Sequence, residues 1–142
     1  MRNKNLNIIL FVVWIALMLY GILSPSDLLP KSIGFFSFIP FFDKIVHLGM
    51  FAVFSFLLFW ILVNKINFLK SILVTTFISV GFGIITELSQ LLLSNITHRS
   101  FEFMDLFADI LGIAFSMLLC SFIITKQEVY IKKTHIKQKK NR

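Results

Sequence analysis

Four segments of mostly apolar residues, each about twenty long, recur along this chain at about Leu6–Leu23, Ile45–Val63, Ile72–Leu93 and Phe103–Thr125. Crossing a hydrocarbon core of about 30 Å takes about 20 helical residues, and each backbone polar group inside it has to be satisfied within its own segment. The expected fold class is therefore all-α: a polytopic membrane protein built as an antiparallel bundle of four transmembrane helices. Composition agrees, since 57% of the residues are hydrophobic and soluble domains carry roughly 45–50%. Residues 1–125 read as one transmembrane domain and 126–142 as a basic tail.

Arg2 and Lys4 precede the first segment as they would in a signal peptide. The apolar stretch is longer than the usual h-region of about 7–15 residues, and Ser24-Pro25-Ser26-Asp27 reads as a turn rather than a cleavage site. The first segment is read as a retained helix. Orientation follows from Lys and Arg, which collect on cytoplasmic loops. With the N-terminus inside, eleven basic residues lie inside (Arg2, Lys4, Lys65, Lys70 and seven in the tail), against three outside: Lys31, Lys44 and Arg99. Both ends are thus expected in the cytoplasm. The net charge of +7 follows the tail, a placement that suits anionic lipid and argues against nucleic acid. In the first outer connector, the aromatic run Phe35-Phe36-Ser37-Phe38-Ile39-Pro40-Phe41-Phe42 is expected at the membrane surface. The lone cysteine, Cys120, permits no intrachain disulfide.

With orientation assigned, the acidic residues become informative, because six of the seven fall on the outer half. Asp43, Lys44 and His47 open the second helix, with Asp43 and His47 one turn apart on one face. Along the third, Ser79, Gly83, Glu87, Gln90 and Ser94 recur at intervals of four and three, a polar and small stripe that has to face protein. The fourth repeats the device with Asp105, Asp109, Gly112 and Ser116. Glu87 precedes Leu93 by as many residues as Asp109 follows Phe103, which sets both roughly 9 Å below the outer boundary, where they can meet. Arg99 can fold over the group from the loop. Asp43, Glu87, Asp105 and Asp109 outweigh Lys44 and Arg99 in charge, a deficit that a protonated His47 with a shared carboxyl proton, or a divalent metal, would balance.

This ordered set resembles the VanZ-like family: Asp43-Lys44-x-x-His47, then Glu87-x-x-Gln90, then Arg99 followed by Asp105, Asp109 and Gly112. The likeness covers the chain from about Asp43 to Ser116. The family often carries Asn where Asp109 stands and Gly where Ser116 stands, so this cluster is the more acidic. The resemblance implies a small multi-helix protein of the bacterial cell envelope, in a family named after a member that lowers susceptibility to the glycopeptide teicoplanin.

Three functional readings follow. In the first, the protein binds or modulates an outer-leaflet headgroup, a cell-wall precursor or a glycopeptide through Asp43, Lys44, His47, Glu87, Gln90, Arg99, Asp105 and Asp109. In the second, it is an intramembrane hydrolase or transferase acting on a lipid-linked phosphate, with Glu87 or Asp109 as general base, His47 as acid and Arg99 stabilising charge. The third is a proton or ion relay, which the expected lack of polar residues in the inner half disfavours. No motif calls for a cofactor or metal; the residues that would hold a metal are His47, Glu87, Asp105 and Asp109.

Overall fold

The computed structural model describes residues 4–24, 41–97 and 101–140, of which residues 4, 22, 23, 97 and 127–140 are described by their backbone alone. Five helices make up the described chain: α1 (Lys4–Leu23), α2 (Phe42–Leu62), α3 (Phe68–Leu92), the single turn α4 (Ser94–Thr97) and α5 (Phe103–Lys140). Three helical stretches are long and apolar enough to cross a membrane: Phe42–Leu62, Phe68–Leu92 and Phe103–Lys126. The apolar part of α1, Asn5–Gly21, is shorter. The chain is thus an all-α, polytopic membrane protein, and the expected first span is the one its length leaves open. The helix expected to end near Thr125 continues to Lys140.

Helix directions follow from register. Phe51 faces Phe82, Ser55 faces Ser79 and Phe59 faces Phe68, so α2 and α3 run antiparallel. Trp14 with Met50 and Phe11 with Phe54 set α1 antiparallel to α2. Lys44 with Asp105 and His47 with Asp109 make α2 and α5 parallel, and these two form the most extensive helix pair. The starts of α2 and α5 and the finish of α3 thereby share one end of the bundle, called here the cluster end.

Why α2 and α5 approach so closely is visible at Gly112. A Cβ there would lie 2.2 Å from the Leu48 carbonyl oxygen and 3.1 Å from the Ala52 nitrogen. Only a residue without a side chain permits that contact, the small-residue packing typical of helices in lipid. The aromatic core lies further along, where Phe51, Phe54 and Phe59 of α2 pack with Met18, Ile113, Met117 and Cys120. Phe54 stacks on Phe82 with centroids 4.9 Å apart.

α3 is inverted relative to a helix of a soluble protein. Its buried residues are Ser71, Thr75, Ser79, Gly83, Thr86, Glu87 and Gln90, while Phe77 is 83% exposed. Lipid is as apolar as a side-chain core, so apolar residues gain little by facing inward and polar ones lose much by facing out. The helix starts cleanly because the Asn67 side chain accepts the Lys70 N–H at 2.9 Å, satisfying an otherwise orphan donor. α2 has no such cap; Phe41 precedes it with φ 60° and ψ 26°, a left-handed conformation uncommon for a bulky residue.

Candidate functional site

At the cluster end, α2, α3 and α5 enclose His47, Glu87, Asp105 and Asp109, each nearly or wholly buried. His47 is central. Its Nδ1 lies 3.0 Å from Asp109 Oδ1, within hydrogen-bonding distance, and 4.0 Å from Glu87 Oε1, while Nε2 lies 3.9 Å from Asp105 Oδ2. One imidazole therefore touches or faces three carboxylates carried by two other helices. With ionised Asp109 as the acceptor, Nδ1 is the donor in that pair.

The first layer is positioned by a second. Glu87 Oε2 accepts the backbone N–H of Glu102 at 3.2 Å, which turns its other oxygen toward the imidazole. Asp109 has room because residue 83 is glycine: a Cβ there would stand 3.2 Å from Asp109 Oδ2 and 3.4 Å from the Phe51 ring. Glu87 Oε1 and Asp109 Oδ2 are buried without a hydrogen-bond partner. Desolvated carboxylate oxygens are costly to leave so, and each such atom calls for a physical explanation.

Lys44 closes the site toward the end of the bundle. Its ammonium pairs with Asp105 Oδ1 at 2.5 Å, with Asp43 Oδ2 at 3.4 Å and with Glu102 Oε2. The Lys44 side chain is 19% exposed, whereas Asp43 and Glu102 are about half exposed, so charge grades from an acidic rim to a buried interior. Lys44 is thus occupied by three carboxylates.

Of the residues singled out in the sequence, Asp43, Lys44, His47, Glu87, Asp105 and Asp109 are brought together. Gln90 is buried on the same stripe, one turn nearer the α3 terminus, but no hydrogen bond joins it to the cluster among the described residues. Arg99 and the residues 35–40 of the aromatic run lie outside the described residues. Glu102 was missed as a site residue; its spacing of three before Asp105, at the entrance to a helix, was the available signal.

The other half of the bundle is more polar than expected. Ser55 Oγ donates to Ser79 Oγ at 3.0 Å, and Thr75 and Ser71 continue the buried row toward the start of α3. This row does not reach the cluster along α2. His47, Phe51 and Ser55 follow one another at single-turn intervals on one face, and the fully buried Phe51 ring separates the imidazole from the hydroxyl.

No protein-family model, curated protein or solved structure matches the chain. Fold and geometry define an all-α polytopic membrane protein with a buried, predominantly acidic cluster able to engage a polar ligand.

Proposed function

We propose that the protein is a VanZ-like envelope protein of the bacterial plasma membrane, with α1 as a fourth span and both ends cytoplasmic. Its cluster then opens to the outer surface and binds a headgroup, a cell-wall precursor or a glycopeptide through the ligand's polar, cation-bearing part. The observation that carries this reading is the gradient from half-exposed Asp43 and Glu102, through Lys44, to fully buried Glu87 and Asp109. Carboxylates in excess of cations, reached from a rim, suit a ligand that brings positive charge. Membrane lipids surround the bundle, and the basic tail favours anionic lipid on the inner face.

A second reading has its own support in the 3.0 Å contact between His47 and Asp109. A buried imidazole oriented by a carboxylate is the arrangement used for acid–base work, which fits an intramembrane hydrolase or transferase acting on a lipid-linked phosphate.

Complementation of a deletion strain separates these. Glu87→Gln is expected to insert at the normal level and lose envelope protection, read as glycopeptide susceptibility, while the purified wild-type protein turns over no lipid-linked phosphate. Turnover abolished by Glu87→Gln would favour the enzyme. If Glu87→Gln with Asp109→Asn protects as well as wild type, the cluster is structural and both readings fail. Labelling of Ser94→Cys by an impermeant thiol reagent is expected from outside the cell; labelling from the cytoplasm alone overturns the orientation.

A further inference from the structure

We infer that His47, Glu87 and Asp109 form a binding site for one divalent transition-metal ion. The site coincides with the one proposed above but requires neither its ligand nor its orientation in the membrane.

One ligand atom from each residue lies within 4.8 Å of the other two. The Nδ1 atom of His47 is 3.0 Å from Asp109 Oδ1 and 4.0 Å from Glu87 Oε1. Two ligands held about 2.0–2.2 Å from a tetrahedral ion stand roughly 3.3–3.6 Å apart. The two separations from Nδ1 bracket that range and the third lies within 4.8 Å, so side-chain adjustment alone would close the site around an ion.

The second observation is the pair of orphan oxygens. Glu87 and Asp109 are both 0% exposed, and Glu87 Oε1 and Asp109 Oδ2 have no hydrogen-bond partner. Of the ligand atoms measured above, Glu87 Oε1 is itself an orphan, whereas Asp109 Oδ1 takes the His47 Nδ1 proton, which metal binding would shift to Nε2; the other contacts aim the residues. The second Glu87 oxygen takes the Glu102 N–H, and the absent side chain at Gly83 admits the Asp109 carboxylate. The second His47 nitrogen faces Asp105, and Asp105 is held by Lys44. A carboxylate behind a ligating imidazole is the usual outer support of a metal site.

A competing group exists in Asp43, His47 and Asp105. It is already supplied with a cation, because Lys44 pairs with both of its carboxylates. No Lys or Arg pairs with Glu87 or Asp109 among the described residues, and one doubly charged ion balances the two carboxylates beside a neutral imidazole. One nitrogen and two oxygen donors suit Zn²⁺ or Mn²⁺ better than Cu⁺, which prefers sulfur, or Ca²⁺, which prefers an all-oxygen shell. Three protein ligands leave at least one position open for water or for an oxygen of an incoming ligand.

The test is metal binding by the full-length protein in detergent. After chelation and exchange, wild type is titrated with Zn²⁺ alone and Mn²⁺ alone, and bound metal is measured by elemental analysis. One equivalent per chain is expected. Glu87→Gln and Asp109→Asn should weaken it more than 100-fold, Asp105→Asn by about 10–100-fold as an outer partner, and Asp43→Asn by less than about threefold. Bound Mn²⁺ should show nitrogen coupling in its electron paramagnetic resonance spectrum that disappears in His47→Gln, a readout that in wild type needs no variant to fold. Absence of stoichiometric metal in monodisperse wild type, wild-type affinity in both carboxylate variants, or loss on Asp43→Asn overturns this site. Envelope protection by a protein that binds no metal would refute the metal and spare the ligand reading; metal binding with protection unaffected by Glu87→Gln would do the reverse.

Discussion

The carbonyl oxygen of Leu48 stands 2.2 Å from the point where residue 112 would carry a Cβ, so these two backbones touch as closely as two helices can. His47 is the residue before Leu48, and Asp109 lies one turn before Gly112. The contact that joins α2 to α5 is therefore also what places imidazole and carboxylate in register.

Gly112→Ala tests this directly. Ordinary C···O contacts begin near about 3.3 Å, so the helices would have to separate by roughly 1 Å, at a cost of about 1–3 kcal/mol or more because backbone cannot move aside. A lower melting temperature in detergent is expected, together with loss of any activity assigned to His47. Gly49→Ala and Gly81→Ala meet nothing within 4 Å and should be neutral or stabilising by about 0.5–1 kcal/mol.

Lys44 is predicted to stabilise the fold only in the presence of its partners. Lys44→Met leaves buried Asp105 without its cation, which should cost about 3 kcal/mol. Combining it with Asp105→Asn should recover most of that loss. A double-mutant cycle on unfolding in detergent measures the coupling; additive losses would mean that the pair is only a surface contact.

Asn67→Ala removes the side chain that receives the Lys70 N–H at the start of α3. About 1 kcal/mol of destabilisation is expected, and Asn67→Asp should retain most of the stability because an aspartate caps as well. Thermal melting of the three proteins side by side checks the order.

Trp14→Phe keeps an aromatic ring in α1 but removes its 3.1 Å hydrogen bond to the Met50 carbonyl. The expected loss is about 1 kcal/mol. Because this hydrogen bond ties α1 to α2, α1 should also become more accessible to protease before the rest of the chain unfolds.

The parts of this architecture that could be read in advance are those that lipid dictates. A helix whose polar residues fall on one stripe has no choice about which face it buries, so the Gly83, Glu87, Gln90 stripe and the Asp105, Asp109, Gly112 stripe were legible together with the meeting of Glu87 and Asp109. The same spacing continued backward through Thr75 and Ser71, and following it would have revealed the buried hydroxyls of the other half. What periodicity does not contain is the course of a connector. Glu102 enters the site through its backbone N–H as well as its side chain, and Lys44 turns inward because Asp105 of α5 and Glu102 of the connector before it, 58 positions further along the chain, arrive beside it. Whether Lys4–Leu23 spans is a question of marginal length, which a pattern of apolar residues resolves least well.

The parallel pairing of α2 with α5 also sets a timetable for biogenesis. His47 and Asp109 are separated by 62 positions, and α5 leaves the ribosome after α2 and α3. Until it arrives, α2 and α3 present His47 and Glu87 without Asp105 and Asp109, and an ionised group facing lipid costs about 2.5–3.5 kcal/mol on insertion scales. Arrival of α5 is consequently the step that commits the nascent chain. A polypeptide truncated before Phe103 retains the apolar helices α2 and α3 yet displays an unmatched polar seam.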